Sequence, residues 1–189
     1  ISLTACNEIE DVDRLEDMVV LPELTAGEAD FSNYVSLGAS FTAGFTDGAL
    51  FIASQENSFP NILSQQFANI GGGSLTQPLM ADNVGGLLFA GNQITNPRLF
   101  FNGAGPQVLP GIPTTEVTNI QPGPYNNMGV PGAKSFHVLA NGYGNPAGVP
   151  IGAANPYYAR MASSANASML EDAAAQNPPK TLPAQPPGP

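Results

Sequence analysis

Three features of the chain predict an α/β fold built on a parallel sheet. Tyr34-Val35-Ser36-Leu37-Gly38 reads as a short apolar strand that runs straight into a tight Gly-x-Ser turn at Ser40. Ser58 to Ala68 then places Phe59, Ile62, Leu63 and Phe67 at i, i+3, i+4 and i+8, with Pro60 near the start, which is the pattern of an amphipathic helix. Tyr125 to Ser135 reads as a second short strand, a glycine turn, and then a helix running through His137-Val138-Leu139. A helix between two such strands is the crossover that parallel neighbours require.

Each segment has its own reason. Residues 1–30 are acidic and lack clear periodicity, so they read as a tether and lead-in. Gly71-Gly72-Gly73 closes the first helix, and from residue 74 to 124 short apolar runs alternate with Asn, Gly and Pro. Gly86 to Ala90 and Arg98 to Phe101 read as strands, Asn102-Gly103 as a hairpin turn, and Gln107 to Pro110 as the returning strand. The region 74–124 is therefore predicted to be a β-rich insertion near the rim of the site, where it would shape access without supplying chemistry. Tyr157 to Ala175 is rich in Ala, Met, Leu and Glu and free of proline, and is predicted to be helical. Residues 177–189 hold six prolines and can form neither helix nor internal strand.

Composition narrows the function. A chain of 189 residues is long enough for one domain with a real core. No run of about eighteen apolar residues occurs, so no membrane span is expected. Fifteen acidic against five basic residues give a net charge of -10, the wrong sign for gripping phosphate backbones, and no nucleic-acid partner is expected. The single cysteine permits no internal disulfide. Zinc spacing, a phosphate loop ending in Lys-Ser/Thr and a dinucleotide fingerprint are all missing, so neither metal nor cofactor is expected.

Position 6 carries a separate signal. Leu3-Thr4-Ala5-Cys6 looks like the end of a bacterial lipoprotein signal, in which Cys6 is lipidated. The acidic run Asn7 to Asp13 would then hold a domain away from the membrane. The expected location is the bacterial cell envelope, with membrane attachment through the lipid anchor only.

Serine ester chemistry needs a nucleophile, a base, a group that orients the base, and donors for the oxyanion. Ser40, thrown out at the carboxyl end of a buried strand, supplies the nucleophile. Gly38-Ala39-Ser40-Phe41, followed by Thr42-Ala43-Gly44, resembles the first motif of the SGNH, or GDSL, esterases and lipases, with Ala39 where the family has aspartate. Asn127 to Ala133 resembles the second motif, with Gly132 at the glycine whose backbone N–H helps hold the oxyanion beside the N–H of Ser40. The resemblance covers roughly residues 31–70 and 120–175. It implies a flavodoxin-like three-layer α/β/α sandwich with a parallel sheet, interrupted here by the β-rich insertion, and cleavage of carboxylic esters through an acyl-enzyme on Ser40. Small-molecule, lipid or acylated-glycan esters are the implied substrates.

The resemblance stops there. The family's Gly-x-Asn-Asp and Asp-x-x-His motifs do not occur, and the only histidine, His137, sits five residues past Gly132 on the predicted helix. We expect His137 to pack or hydrogen-bond at the surface. We also expect residues 31–176 to be the N-terminal portion of such a domain, poorly active alone. The rival expectation is a non-catalytic, surface-anchored module that binds glycans or lipids on a hydrolase-like frame.

Overall fold

The backbone passes directly from strand to helix at the segment that the sequence singles out. β1 (Ser36–Gly38) ends at Ala39, whose backbone makes the corner at φ -106° and ψ -144°, and α1 (Ser40–Ala43) begins with the serine itself. The structure is a computed structural model, and it describes residues 22–121 and 123–179. Cys6, most of the acidic tether and residues 180–189 of the proline-rich tail lie outside the described residues.

α2 (Ile52–Glu56) precedes α3 (Phe59–Ala68), which lies where the 3.6-residue pattern puts it, with Pro60 in the first turn. The burial is not the one the pattern implies. α3 buries Pro60 and Ser64, and Phe67 is held by Phe31 and Tyr34 at ring-centroid distances of 4.4 and 5.1 Å. Phe59, Ile62 and Leu63 face outward.

The insertion is two hairpins. β2 (Leu87–Phe89) pairs antiparallel with β3 (Asn92–Thr95), and β4 (Leu99–Phe101) with β5 (Pro106–Val108). The Asn102-Gly103 turn closes the second hairpin: the Ala104 and Gly105 N–H groups donate to Asn102 Oδ1 at 2.9 and 3.0 Å. β3, with its polar Asn-Gln-Ile-Thr sequence, lacks the alternation that marks the other strands.

β6 (Asn127–Gly129) then returns to lie parallel to β1, with Ser36, Leu37 and Gly38 opposite Asn127, Met128 and Gly129. The fold is thus mixed α/β with a small parallel sheet. Two 3-10 segments follow, Ser135–Leu139 and Pro146–Ile151. The predicted helix through His137 is therefore a 3-10 turn. The predicted helix from Tyr157 to Ala175 is instead two short ones, α4 (Pro156–Ala159) and α5 (Met169–Ala174). Ser163-Ser164-Ala165-Asn166 breaks it, because short polar side chains compete for backbone hydrogen bonds, and Ser168 starts α5 afresh with a capping box to Glu171.

Two apolar clusters sandwich the parallel pair. One gathers Met128, Val130, Tyr158, Met161, Met169 and Ala173; the other gathers Ala43, Leu50, Met80, Leu87, Val117 and Ala159. Tyr157 packs against both. Arg160, only 2% exposed, ties α4 to the chain before β2 by donating to the Leu79 carbonyl at 2.7 Å and meeting Met80 Sδ at 3.1 Å. Burial pushes its guanidinium down to about 10. No helix among the described residues is long and apolar enough to cross a membrane.

Candidate active site

Ser40 and Gly132 are brought together by the parallel pairing of the strands that precede them. The N–H of Gly132 donates to Ser40 Oγ at 3.2 Å, across 92 positions of sequence. Both residues stand at the carboxyl ends of adjacent parallel strands, where open α/β sheets hold their ligands. Ser40 is half-buried as a residue, its hydrogen bond from Gly132 is exposed, and the N–H of Ser40 has no acceptor among the described residues.

Local chemistry explains each position. Gly38 ends β1 without a left-handed φ; what it provides is room, since a Cβ there would run into the Thr42 side chain. Gly129 faces the backbone of α1, and a Cβ would meet Thr42 C at 2.6 Å and Ala43 Cα at 2.7 Å. Only glycine lets the helix that carries Ser40 lie against β6. Gly132 adopts φ +80°, the left-handed region, which turns its N–H back toward Ser40. The space over it is open: the nearest atom to an added Cβ is Asn155 Nδ2 at 3.7 Å.

Polar side chains that no sequence motif marks lock this arrangement. Buried Asn127 donates to the Thr42 carbonyl at 3.0 Å and accepts from the Gly129 N–H at 3.0 Å, fastening α1 to β6. Asn155 does more. Its Nδ2 donates to the Pro131 carbonyl at 2.8 Å and meets the Tyr143 hydroxyl at 3.0 Å, while its Oδ1 accepts the N–H groups of Tyr157 and Tyr158 and caps α4. One side chain thus fixes the peptide before Gly132. Asn-Pro-Tyr at 155–157 has the form of an N-cap followed by proline at the first helical position, a signal that marks Asn155 as a cap but not as a clamp.

His137 is occupied elsewhere. Its Nδ1 accepts from the Lys134 N–H at 3.1 Å and its ring stacks on Tyr143 at 4.2 Å, which agrees with a packing role at the surface. No hydrogen bond joins Ser40 Oγ to a histidine or carboxylate among the described residues. Nor do these residues gather three His, Cys, Asp or Glu side chains able to hold a metal.

Two cavities border the Ala154–Pro156 stretch around Asn155, and neither is lined by Ser40 or Gly132. One, of about 390 Å³, is lined by Phe136, Tyr143, Ala154, Asn155 and Pro156. Another, of about 430 Å³, lies between Phe89 and Ile94 of the insertion and Val149 and Pro156. A larger cavity of about 540 Å³ opens at the other end of the strands, among Tyr125, Asn126, Met128 and Met161. Like the other two, it is lined by neither Ser40 nor Gly132. No family model, curated protein or solved structure matches the chain.

Proposed function

We propose that the chain carries the nucleophile and oxyanion half of a serine ester hydrolase of the SGNH type, working through an acyl-enzyme on Ser40. The 3.2 Å contact between the Gly132 N–H and Ser40 Oγ carries this reading. When Oγ attacks an ester carbonyl, the carbonyl oxygen becomes an anion beside the attacking atom. The amide of Gly132 and the free amide of Ser40 are the donors within reach of that position. Losing one such donor typically costs ~3 kcal/mol of transition-state stabilisation. The small parallel sheet, with one apolar cluster on each side, is compatible with the three-layer sandwich of that family.

Among the described residues no histidine or carboxylate hydrogen-bonds Ser40 Oγ, and His137 is engaged by Lys134 and Tyr143. That engagement is also what favours the second reading, a binding module on a hydrolase-like frame, anchored at the cell envelope through Cys6. A fluorophosphonate probe and an activated ester, applied to the product of the complete reading frame, decide between them. The hydrolase requires covalent labelling at Ser40 and turnover that vanishes in Ser40→Ala. Labelling elsewhere, or none, leaves the binding module.

A further inference from the structure

Gly132 sits between two hydrogen bonds that hold its turn from opposite ends. Upstream, Asn155 Nδ2 donates to the Pro131 carbonyl at 2.8 Å. That carbonyl and the Gly132 N–H belong to one planar peptide unit, so gripping the first aims the second at Ser40 Oγ. Downstream, the Lys134 N–H donates to His137 Nδ1 at 3.1 Å. Tyr143 backs both holders. Its ring stacks on the imidazole at 4.2 Å and 19°, and its hydroxyl meets Asn155 Nδ2 at 3.0 Å. His137, Tyr143 and Asn155 also line one cavity of about 390 Å³.

The two grips differ in chemistry. The asparagine amide offers the same donors and acceptor in mild acid and in mild base. A ring nitrogen that accepts a hydrogen bond carries no proton, so His137 is neutral here with its hydrogen on Nε2. Protonated imidazole is a donor at both nitrogens, and its Nδ1–H would face the Lys134 N–H head-on. The charged ring can keep its place on Tyr143, because aromatic faces favour cations. What yields is the Lys134 backbone, two residues from the oxyanion donor.

The surrounding groups leave His137 as the part that switches. On its own segment the charged neighbour is Lys134, whose ammonium lies over the Phe136 ring at 5.9 Å. α5 packs against the same 3-10 segment, and its carboxylates are taken up elsewhere: Glu171 by the Ser168 N–H, Asp172 by the Tyr158 hydroxyl and by Ser163. Residues 152–156 bring no titratable side chain. Tyr143 brings only its phenol, which burial pushes up and so keeps neutral.

We propose that His137 is a positioning residue for the oxyanion donor and works only as the neutral imidazole, so that acid loosens the Gly132 turn. The consequence rests on the ester-hydrolase reading of Ser40 and Gly132, whereas the switch rests on the bond between His137 and Lys134. The two can fail separately.

The test takes the product of the complete reading frame from about pH 8 to pH 5, the interval in which histidine side chains change charge. With isotope-labelled lysine, the Lys134 amide (the signal lost in Lys134→Arg) should shift in acid and exchange faster with solvent. It should stay put in His137→Asn, which offers an acceptor that takes no proton. Fluorophosphonate labelling of Ser40, normalised to pH 8, should fall about threefold to tenfold further by pH 5 in the parent than in His137→Asn, the worth of one hydrogen bond. That ratio cancels every other titration, the catalytic base included. His137→Phe keeps a ring for Tyr143 but has no acceptor, and it covers the case in which the asparagine variant does not fold. It should label about threefold to tenfold more slowly than the parent at pH 8 and match it at pH 5. Profiles of one shape in the parent and the folded variants, or a Lys134 amide indifferent to acid, would overturn the proposal. An amide that responds to acid, with no labelling of Ser40 at any pH, keeps the switch and removes the hydrolase.

Discussion

The site region and the insertion keep their shapes by different means. Around Ser40 the backbones of α1, β1 and β6 lie in direct contact, with glycine at the closest approach and Asn127 pinning one to the other. Between residues 74 and 124 the backbone pairs in two hairpins and a bridge from Leu88 to Glu116, and carboxylates organise the loops between them. Asp82 accepts from the N–H groups of Val84, Gly85 and Thr114 at 2.8, 2.9 and 2.8 Å and from the Thr114 hydroxyl. Glu116 likewise holds the Ala90, Gly91 and Thr118 amides. Two atoms held 3.2 Å apart rest here on close-packed backbone, while the loops between the hairpins hang on carboxylate side chains.

The largest effect is expected where backbone meets backbone. Gly129→Ala forces a methyl into the peptide between Thr42 and Ala43, and neither strand nor helix can yield without losing the other. Overpacking of this kind costs ~1–3 kcal/mol, and the rigid surroundings put this variant at the upper end, about 3 kcal/mol. Urea unfolding measures it. An unchanged midpoint would show that α1 does not rest on β6.

Next comes Asp82→Ala, which strands several donors but leaves them near water, for an expected loss of about 2 kcal/mol. The pH dependence sharpens the contrast. Partial burial works against ionisation of Asp82, but the hydrogen bonds from Thr114, Gly85 and Val84 outweigh it and hold the carboxyl below its ordinary value. A carboxyl with a depressed folded pKa contributes stability above its unfolded value of about 4, and that contribution disappears as pH falls through the folded value. The stability lost by Asp82→Ala should therefore be full at pH 6 and shrink below pH 4. Acid titrations of melting temperature for parent and variant give the comparison, and a difference independent of pH would refute it.

The same division explains what the sequence shows and hides. Strand, turn and serine at 34–40 and the glycine at 132 are legible because conformation and close approach restrict those positions to few residue types. The hairpin turn at Asn102-Gly103 is legible for the same reason. β3 is hidden because its four residues are mostly polar and exposed, held by pairing to β2 alone. The break between α4 and α5 is hidden because Ala, Met and Glu favour helix wherever they stand, and the interruption comes from a few short polar residues between them. Asn127 and Asn155 are hidden most completely. A buried asparagine satisfied by backbone from two separate segments looks, in sequence, like any loop asparagine.

Asn155 is where the two modes meet, since here a side chain of the loop type holds the backbone of the site. Its two ends can be separated. Asn155→Asp keeps the oxygen that caps α4 but replaces the amide that holds the Pro131 carbonyl with a second acceptor, whereas Asn155→Ala removes both. The alanine variant should lose about 1 kcal/mol more than aspartate from the lost cap, read from urea midpoints. If Asn155 positions Gly132, both variants should slow fluorophosphonate labelling of Ser40 in the complete protein by on the order of tenfold, because a misplaced donor no longer faces the developing anion. Should the aspartate variant label at the parent rate, the side chain serves only as a cap, and the turn at Gly132 is held by its own left-handed backbone.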